Sequence, residues 1–186
     1  SENESVSFYT IIMDSIVTKT SIETNSLFLT ELFTSGGMSG MLNTIWLVIC
    51  AMIFGGSMEA IGALKTISLS LLNFAKSTFS LFANTIVSCL AVNITASDQY
   101  LSIVIPGKMF SKAFEDRNLS SLNLSRTIED SGTVTSVLIP WNTCGAYQYS
   151  VLNVSVYDYF IFAIFNWLSP FMTLFIALIN YKIKKL

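Results

Sequence analysis

Apolar residues gather into long runs along this chain, and polar residues fall at the ends of the runs or in short clusters that interrupt them. Residues 1–40 are mixed: Lys19, Glu23 and Glu31 break up the apolar stretches 8–17 and 27–33. That pattern predicts one or two short amphipathic helices on a membrane surface or against a bundle. Gly36, Gly37 and Gly40 then read as a loop; Gly36 and Gly40 have GxxxG spacing but precede the next apolar run, which disfavours a dimerisation face.

A first span is predicted over residues 42–64, enough to cross a hydrocarbon layer of roughly 30 Å at about 1.5 Å per residue. It is apolar as far as Phe54 and then reads Gly55-Gly56-Ser57-Met58-Glu59, so an acid lies inside the run. Residues 67–105 as one helix would be roughly 58 Å long, so this stretch is predicted to bend or re-enter. Lys76 and the polar run Asn93, Thr95, Ser97, Asp98 and Gln99 are the expected breaks, and Pro106-Gly107 the closing turn. A polar link with Lys108, Lys112, Glu115, Asp116 and Arg117 comes next.

Residues 122–152 carry Arg126, Glu129 and Asp130 in their first third and are predicted to split at Ile139-Pro140-Trp141-Asn142-Thr143-Cys144-Gly145. Proline removes a backbone donor and disfavours helix before it, so two half-helices should result. A last span, residues 159–183, is rich in Phe, with Tyr157 and Tyr159 at one end and Tyr181, Lys182, Lys184 and Lys185 at the other. Ser169-Pro170 should kink it, which a membrane bundle tolerates.

Composition sharpens this reading. The 186 residues are 52% hydrophobic and only 12% charged, with mean hydropathy +0.61, too little polar surface for a soluble domain of this length. The fold class expected is an all-α membrane protein, a transmembrane helix bundle with discontinuous helices. Residues 1–40 would be surface helices and a leading loop, and residues 41–186 an ion-transport region of about four to five membrane segments, two of them broken. The net charge of −2 and the lack of a basic stripe exclude a nucleic-acid partner. The lipid bilayer is the partner implied.

The N-terminus lacks the basic flank of a secretory signal, and a start without Met suggests a piece of something larger. Cys50, Cys89 and Cys144 have no paired spacing, so neither a disulfide framework nor a zinc site is indicated. Without histidine, a GxSxG elbow or GxGxxG, no enzyme machinery is visible. Two crossings separate the basic link 108–117 from the basic tail 182–185, so both should lie on one side, the cytoplasmic one. A simple count puts Lys65 and Lys76 on the other.

Carboxylates inside apolar segments are the candidate chemistry, because each costs about 2.5 to 3.5 kcal/mol near the bilayer centre and persists mainly when paired or functional. Four qualify: Glu59, Asp98, Glu129 and Asp130. Glu59 has an interfacial alternative, and Glu129 and Asp130 a structural one, a pair with Arg126 one helical turn earlier. A helix break at this depth exposes carbonyls and amides that lipid cannot satisfy, so it normally lines a cavity that an ion completes. Asn93, Thr95, Ser97 and Asp98 form one such group; Thr133, Thr135, Asn142 and Thr143 form another, for which a proline kink satisfied by hydroxyls alone is the alternative. Sodium is expected at Asp98, Asp130 and Asn142. One carboxylate that holds either Na+ or a proton converts alternating access into exchange. No cofactor is called for beyond those transported ions.

At these residues the chain resembles a family. Gly37-Met38-Ser39, Phe54-Gly55-Gly56 with Glu59, Asn93 through Asp98-Gln99-Tyr100 with Pro106-Gly107-Met109, and above all Ser125-Arg126-Thr127-Ile128-Glu129-Asp130-Ser131-Gly132-Thr133-Val134-Thr135-Ser136 followed by residues 139–145, look like the NhaC family of sodium/proton antiporters. The resemblance covers residues 30–180. It implies one half of an inverted-repeat secondary transporter, multi-pass in a prokaryotic inner membrane, exchanging sodium for protons. A related branch exchanges malate and lactate with sodium and protons, which keeps an organic anion open as cargo. Family members are more than twice this length, so the resemblance also implies that an N-terminal half or a second copy completes the site, with a homodimer when complete.

Overall fold

The computed structural model describes residues 8–34, 36–73, 75 and 77–186; the acidic N-terminus and the break expected at Lys76 lie outside them. Two compact units divide the chain, Ser1–Trp46 and Leu47–Leu186. In the first, α1 (Phe8–Val17) and α2 (Leu27–Leu32) are the short helices that the polar interruptions predict. The glycine segment is not the loop expected: it forms a helical turn, α3 (Gly37–Gly40). Gly37 enters that turn at φ +60 with the Thr18 carbonyl where a Cβ would stand, so only glycine fits.

The first long helix, α4 (Leu42–Ala60), stops short of the predicted end at residue 64. Gly62, at φ +73, turns the chain, and Leu64 belongs to α5 (Ala63–Asn73). Next comes a hairpin of α6 (Thr78–Ala96) and α7 (Gln99–Glu115). Ser77 and Ser80 form a capping box at the start of α6. At its end Ser97 turns left-handed at φ 57, and the Asp98 carboxylate caps α7 by accepting from the N–H groups of Tyr100 at 2.6 Å and Leu101 at 3.3 Å. The turn expected at Pro106-Gly107 is absent: Pro106 is buried inside α7, which runs on through most of the predicted polar link. The lost bond to the Ser102 carbonyl is tolerated because Phe110 and Phe114 bury the following turns.

The predicted break at residues 139–142 is present, and the departure from α-helix begins earlier than expected. α8 (Ser121–Ile128) opens into a π-helical turn, Glu129–Thr133, then a 3₁₀ turn, Ser136–Leu138, before α9 (Thr143–Leu152) resumes. The final span is shorter than the 159–183 predicted: α10 (Val156–Tyr159) and a turn precede α11 (Ile164–Leu178), with Pro170 buried inside it. Left-handed Asn180 and Lys182 then turn the tail. Among the described residues the architecture is all helical, and α4 and α6 are the helices long and apolar enough to cross a bilayer.

As predicted, the basic link and basic tail share one end. Leu119 pairs with Lys185, Ser120 N–H donates to the Lys184 carbonyl at 3.0 Å, and the Asn123 amide donates to the same carbonyl at 2.6 Å. The count that placed Lys65 on the opposite side is corrected. Lys65 lines one cleft with Glu59 and Lys108, and the Arg117 guanidinium donates to the carbonyls of Ala75 and, at 2.7 Å, Ser77. α5 therefore runs beside the second half of α7 towards that same end, which the count read as a further crossing.

The core lies along the α6–α7 hairpin. Leu81, Phe82 and Cys89 of α6 meet Phe110 and Phe114 of α7, Leu124 and Ile128 of α8 and Ala177 of α11, with Phe82 and Phe114 rings 5.2 Å apart. Between apolar helices in lipid, close packing and interhelical hydrogen bonds hold the bundle together. Gly55 of α4 lets the backbone approach the Ala96 carbonyl, and the buried Ser68 and Ser88 hydroxyls lie 2.7 Å apart across α5 and α6.

Candidate functional site

The hairpin tip between α6 and α7 meets the break between the 3₁₀ turn and α9. The last turn of α6 has carbonyls with no intrahelical partner, and the second break supplies their donors. Trp141 Nε1–H donates to the Ile94 carbonyl at 2.9 Å, Thr143 N–H to the Ser97 carbonyl at 3.0 Å, and the Asn142 amide to the Asn93 carbonyl at 3.4 Å. Two interrupted segments thus complete each other.

At the centre of this crossing lie two fully buried amides. Asn142 donates to Asn93 Oδ1 at 3.2 Å, while its own Oδ1 caps α9 by accepting from Cys144 N–H at 3.1 Å. Asn93 donates to the Gly132 carbonyl at 2.7 Å and to Thr135 Oγ1 at 3.4 Å. Thr135 in turn donates to the Ser131 carbonyl. Gly132 sits on the π-turn against α7, where an added Cβ would lie 3.2 Å from Ser102 Oγ. Each amide group here is committed to a protein partner, as burial demands.

Asp130 lies elsewhere, on the π-turn facing α11. Ser169 Oγ donates to its Oδ1 at 3.0 Å and Thr173 Oγ1 to its Oδ2. Both hydroxyls are buried, whereas the Asp130 side chain keeps 21% exposure. Arg126 Nε stands 3.7 Å from Oδ2 with its side chain 57% exposed, so the expected structural pair exists with Asp130 but is long and wet. Glu129 does not join it; it is exposed and accepts from Thr133 Oγ1 at 3.1 Å. Asn166 of α11 donates to the Val134 carbonyl at 2.7 Å and Tyr159 OH to the Val137 carbonyl at 2.5 Å, so side chains also satisfy the carbonyls that the loosened helix frees.

The set Asp98, Asp130 and Asn142 is not drawn together: Asp98 caps the hairpin tip, Asp130 faces α11 and Asn142 faces α6, with no hydrogen bond among them. The first polar group also disperses. Thr95 bonds back to the Ala91 carbonyl at 2.7 Å, and only Asn93 and the Ser97 backbone reach the second break. Asp98 and Thr143 line a hollow of about 320 Å³ with Gln99 and Cys144, and Thr133 and Thr143 line a larger one of about 400 Å³ beside Gln99, Ser136 and Tyr147. Gln99 Oε1 accepts there from the Cys144 thiol at 2.7 Å and from Ser136 Oγ at 3.4 Å. Glu59 is exposed and faces the cleft with Lys65 and Lys108. Sequence reasoning missed Ser169, Thr173, Asn166 and Gln99; hydroxyls four residues apart in an otherwise apolar helix were the available signal for the first two.

The family model for the Na+/H+ antiporter family matches residues 3–181. The chain belongs to the Na+/H+ antiporter family. Among curated relatives, the Na(+)/H(+) antiporter NhaC of Alkalihalophilus pseudofirmus is 38% identical over 178 residues, covering 96% of the chain and 38% of the relative. NhaC of Bacillus subtilis is 34% identical, over 90% of the chain and 37% of the relative. The Malate-2H(+)/Na(+)-lactate antiporter of Bacillus subtilis is 32% identical, over 86% of the chain and 33% of the relative. The chain therefore spans less than two fifths of the relatives' length, and those relatives are named as transporters, none as an enzyme. Membership makes this a membrane protein and bears out the resemblance read from the sequence. No solved structure matches it significantly.

Proposed function

We propose that this chain is the C-terminal, ion-handling part of a multi-pass transporter of a prokaryotic inner membrane that exchanges Na+ for protons, with Asp130 as the group that holds either ion. The single observation that carries this reading is the Asp130 station. A carboxylate sits on a π-turn of a broken helix, is only partly buried, and leans on two hydroxyls and a distant arginine instead of a tight ion pair. π-turns concentrate at functional sites, and a carboxylate at bilayer depth is costly unless used.

Geometry supports a mid-depth site. α4 continues from Gly55, which packs at the hairpin tip, back to Leu47, about 12 Å of helix beyond that tip. In this reading both legs of the α6–α7 hairpin open at the basic, cytoplasmic end, and α4 reaches beyond its tip. An N-terminal half related by an inverted repeat, or a second copy in a homodimer, would cover the site's open side.

A second reading keeps an organic acid as cargo. The hollow of about 400 Å³ beside Gln99, Thr143 and Cys144 is lined by neutral hydrogen-bonding groups and adjoins the N-termini of α7 and α9, which favour anions.

Proteoliposomes containing the complete transporter separate these readings. Sodium-driven proton movement should vanish in Asp130→Asn and persist in Asp98→Asn, since asparagine caps a helix about as well as aspartate. Exchange that survives in Asp130→Asn removes the proposed site. Lactate and malate supplied in parallel should leave the proton flux unchanged; a flux that depends on them moves the weight to the organic cargo.

A further inference from the structure

We infer that Ser169 and Thr173 of α11 are cation ligands, the two neutral oxygens that complete a sodium site on Asp130. This rests on the reading of Asp130 given above and adds the partner element and the ligand set.

The two hydroxyls sit one turn apart on one face of α11 and are buried, at 9% and 3% exposure. Each reaches a different oxygen of the same carboxylate, so together they bracket it. A hydroxyl carries one donor and two acceptor lone pairs. In the ion-free arrangement both donate to Asp130. Each also has a second acceptor within its own helix, the carbonyl four residues back, Phe165 for Ser169 and Ser169 for Thr173, the common back-bond of Ser and Thr in apolar helices. Rotation of both hydroxyls onto those carbonyls turns their lone pairs towards the carboxylate. No polar group is left unmade, and a small hard cation gains two hydroxyl oxygens and the carboxylate. No covalent bond changes; the two hydroxyl protons remain on their oxygens.

Two neighbours fit this arrangement. Pro170 supplies no N–H to the Asn166 carbonyl, so a backbone oxygen one turn from Ser169 lacks its usual donor. The Asn166 side chain meanwhile ties that turn to Val134, just past the π-turn that carries Asp130, and fixes the distance between the two elements. Arg126, half in solvent and 3.7 Å away, is able to swing outward when a cation arrives.

The alternative is that the hydroxyls only satisfy a half-buried carboxylate. KM for Na+, KM for Li+ and kcat, measured in proteoliposomes of the complete transporter at one pH, distinguish the two. Ser169→Ala and Thr173→Val should each raise the Na+ KM about tenfold, the loss of one good oxygen partner, and should change the Na+/Li+ preference while kcat stays near wild type. Thr173→Ser, which keeps the oxygen, should restore the wild-type KM. Unchanged cation KM values and preference in Ser169→Ala and Thr173→Val, with Asp130→Asn inactive, would leave Asp130 as the site and overturn the ligand role. Active Asp130→Asn would instead overturn the reading beneath it. Should Thr173→Val fail to accumulate, Ser169→Ala alone decides.

Discussion

The Asn93–Asn142 crossing and the Asp130 station are both polar clusters in an apolar bundle, yet they differ in what they leave open. Asn93 and Asn142 are fully buried, neutral, and committed to protein partners, on other elements or, for Asn142 Oδ1, at the start of its own helix α9. Asp130 carries a carboxylate, is partly exposed, and is held by two hydroxyls of α11 and a long contact to Arg126. The first arrangement suits a joint that must keep two broken segments in register; the second suits a group whose occupant changes. Polar residues at membrane depth are therefore not equivalent evidence of a site, and the number of uncommitted lone pairs separates the two kinds.

The largest effect should come from the open cluster. Asp130→Asn should bring sodium-driven proton flux to background while the protein accumulates and melts like wild type. The closed cluster should show the reverse: Asn142→Ala breaks interhelical bonds worth about 0.6 to 1.7 kcal/mol each and strands buried Asn93 groups at about 1 to 3 kcal/mol. A fall in melting temperature of the purified complete transporter is the readout, and unchanged melting with lost transport would erase the distinction drawn above. Gly145→Ala should also destabilise, since a Cβ there runs into the Ile139 carbonyl at the break. Gly132→Ala meets Ser102 Oγ at 3.2 Å and should cost less, because that side chain can give by a few tenths of an ångström. Smallest is Arg126→Gln: an ion pair at 3.7 Å with a largely exposed arginine is worth up to about 1 kcal/mol, so the Na+ KM should move by less than about fivefold.

The difference also shows what a sequence makes legible. The break at residues 139–142 was readable because Pro140 excludes regular helix and Asn142 is a good cap for α9. The π-turn at Glu129–Thr133 was not, since nothing in Glu-Asp-Ser-Gly-Thr forbids an α-helix; within it the Gly132 carbonyl accepts from Asn93, a partner 39 residues away in sequence. Pro106-Gly107 carries a turn signal, yet burial against α8 and the aromatic core keeps it helical. Asp98 was legible as a polar residue in an apolar run, and its role as the cap of α7 emerged only once Ser97 was seen to end α6. Lys65 was misplaced because counting assumes that each helix crosses, and α5, at 11 residues, is shorter than a crossing requires. Asp130 itself stood out by charge; its partners on α11 did not, because Ser169 and Thr173 look like ordinary small residues in an apolar helix.

Saturable binding of radioactive sodium to the purified complete transporter at one fixed pH tests the central claim most directly. Asp130→Asn should abolish it, and Asp98→Asn and wild type should bind alike. Sodium binding that survives in Asp130→Asn, or disappears in Asp98→Asn, would place the ion at the hairpin tip and contradict the account.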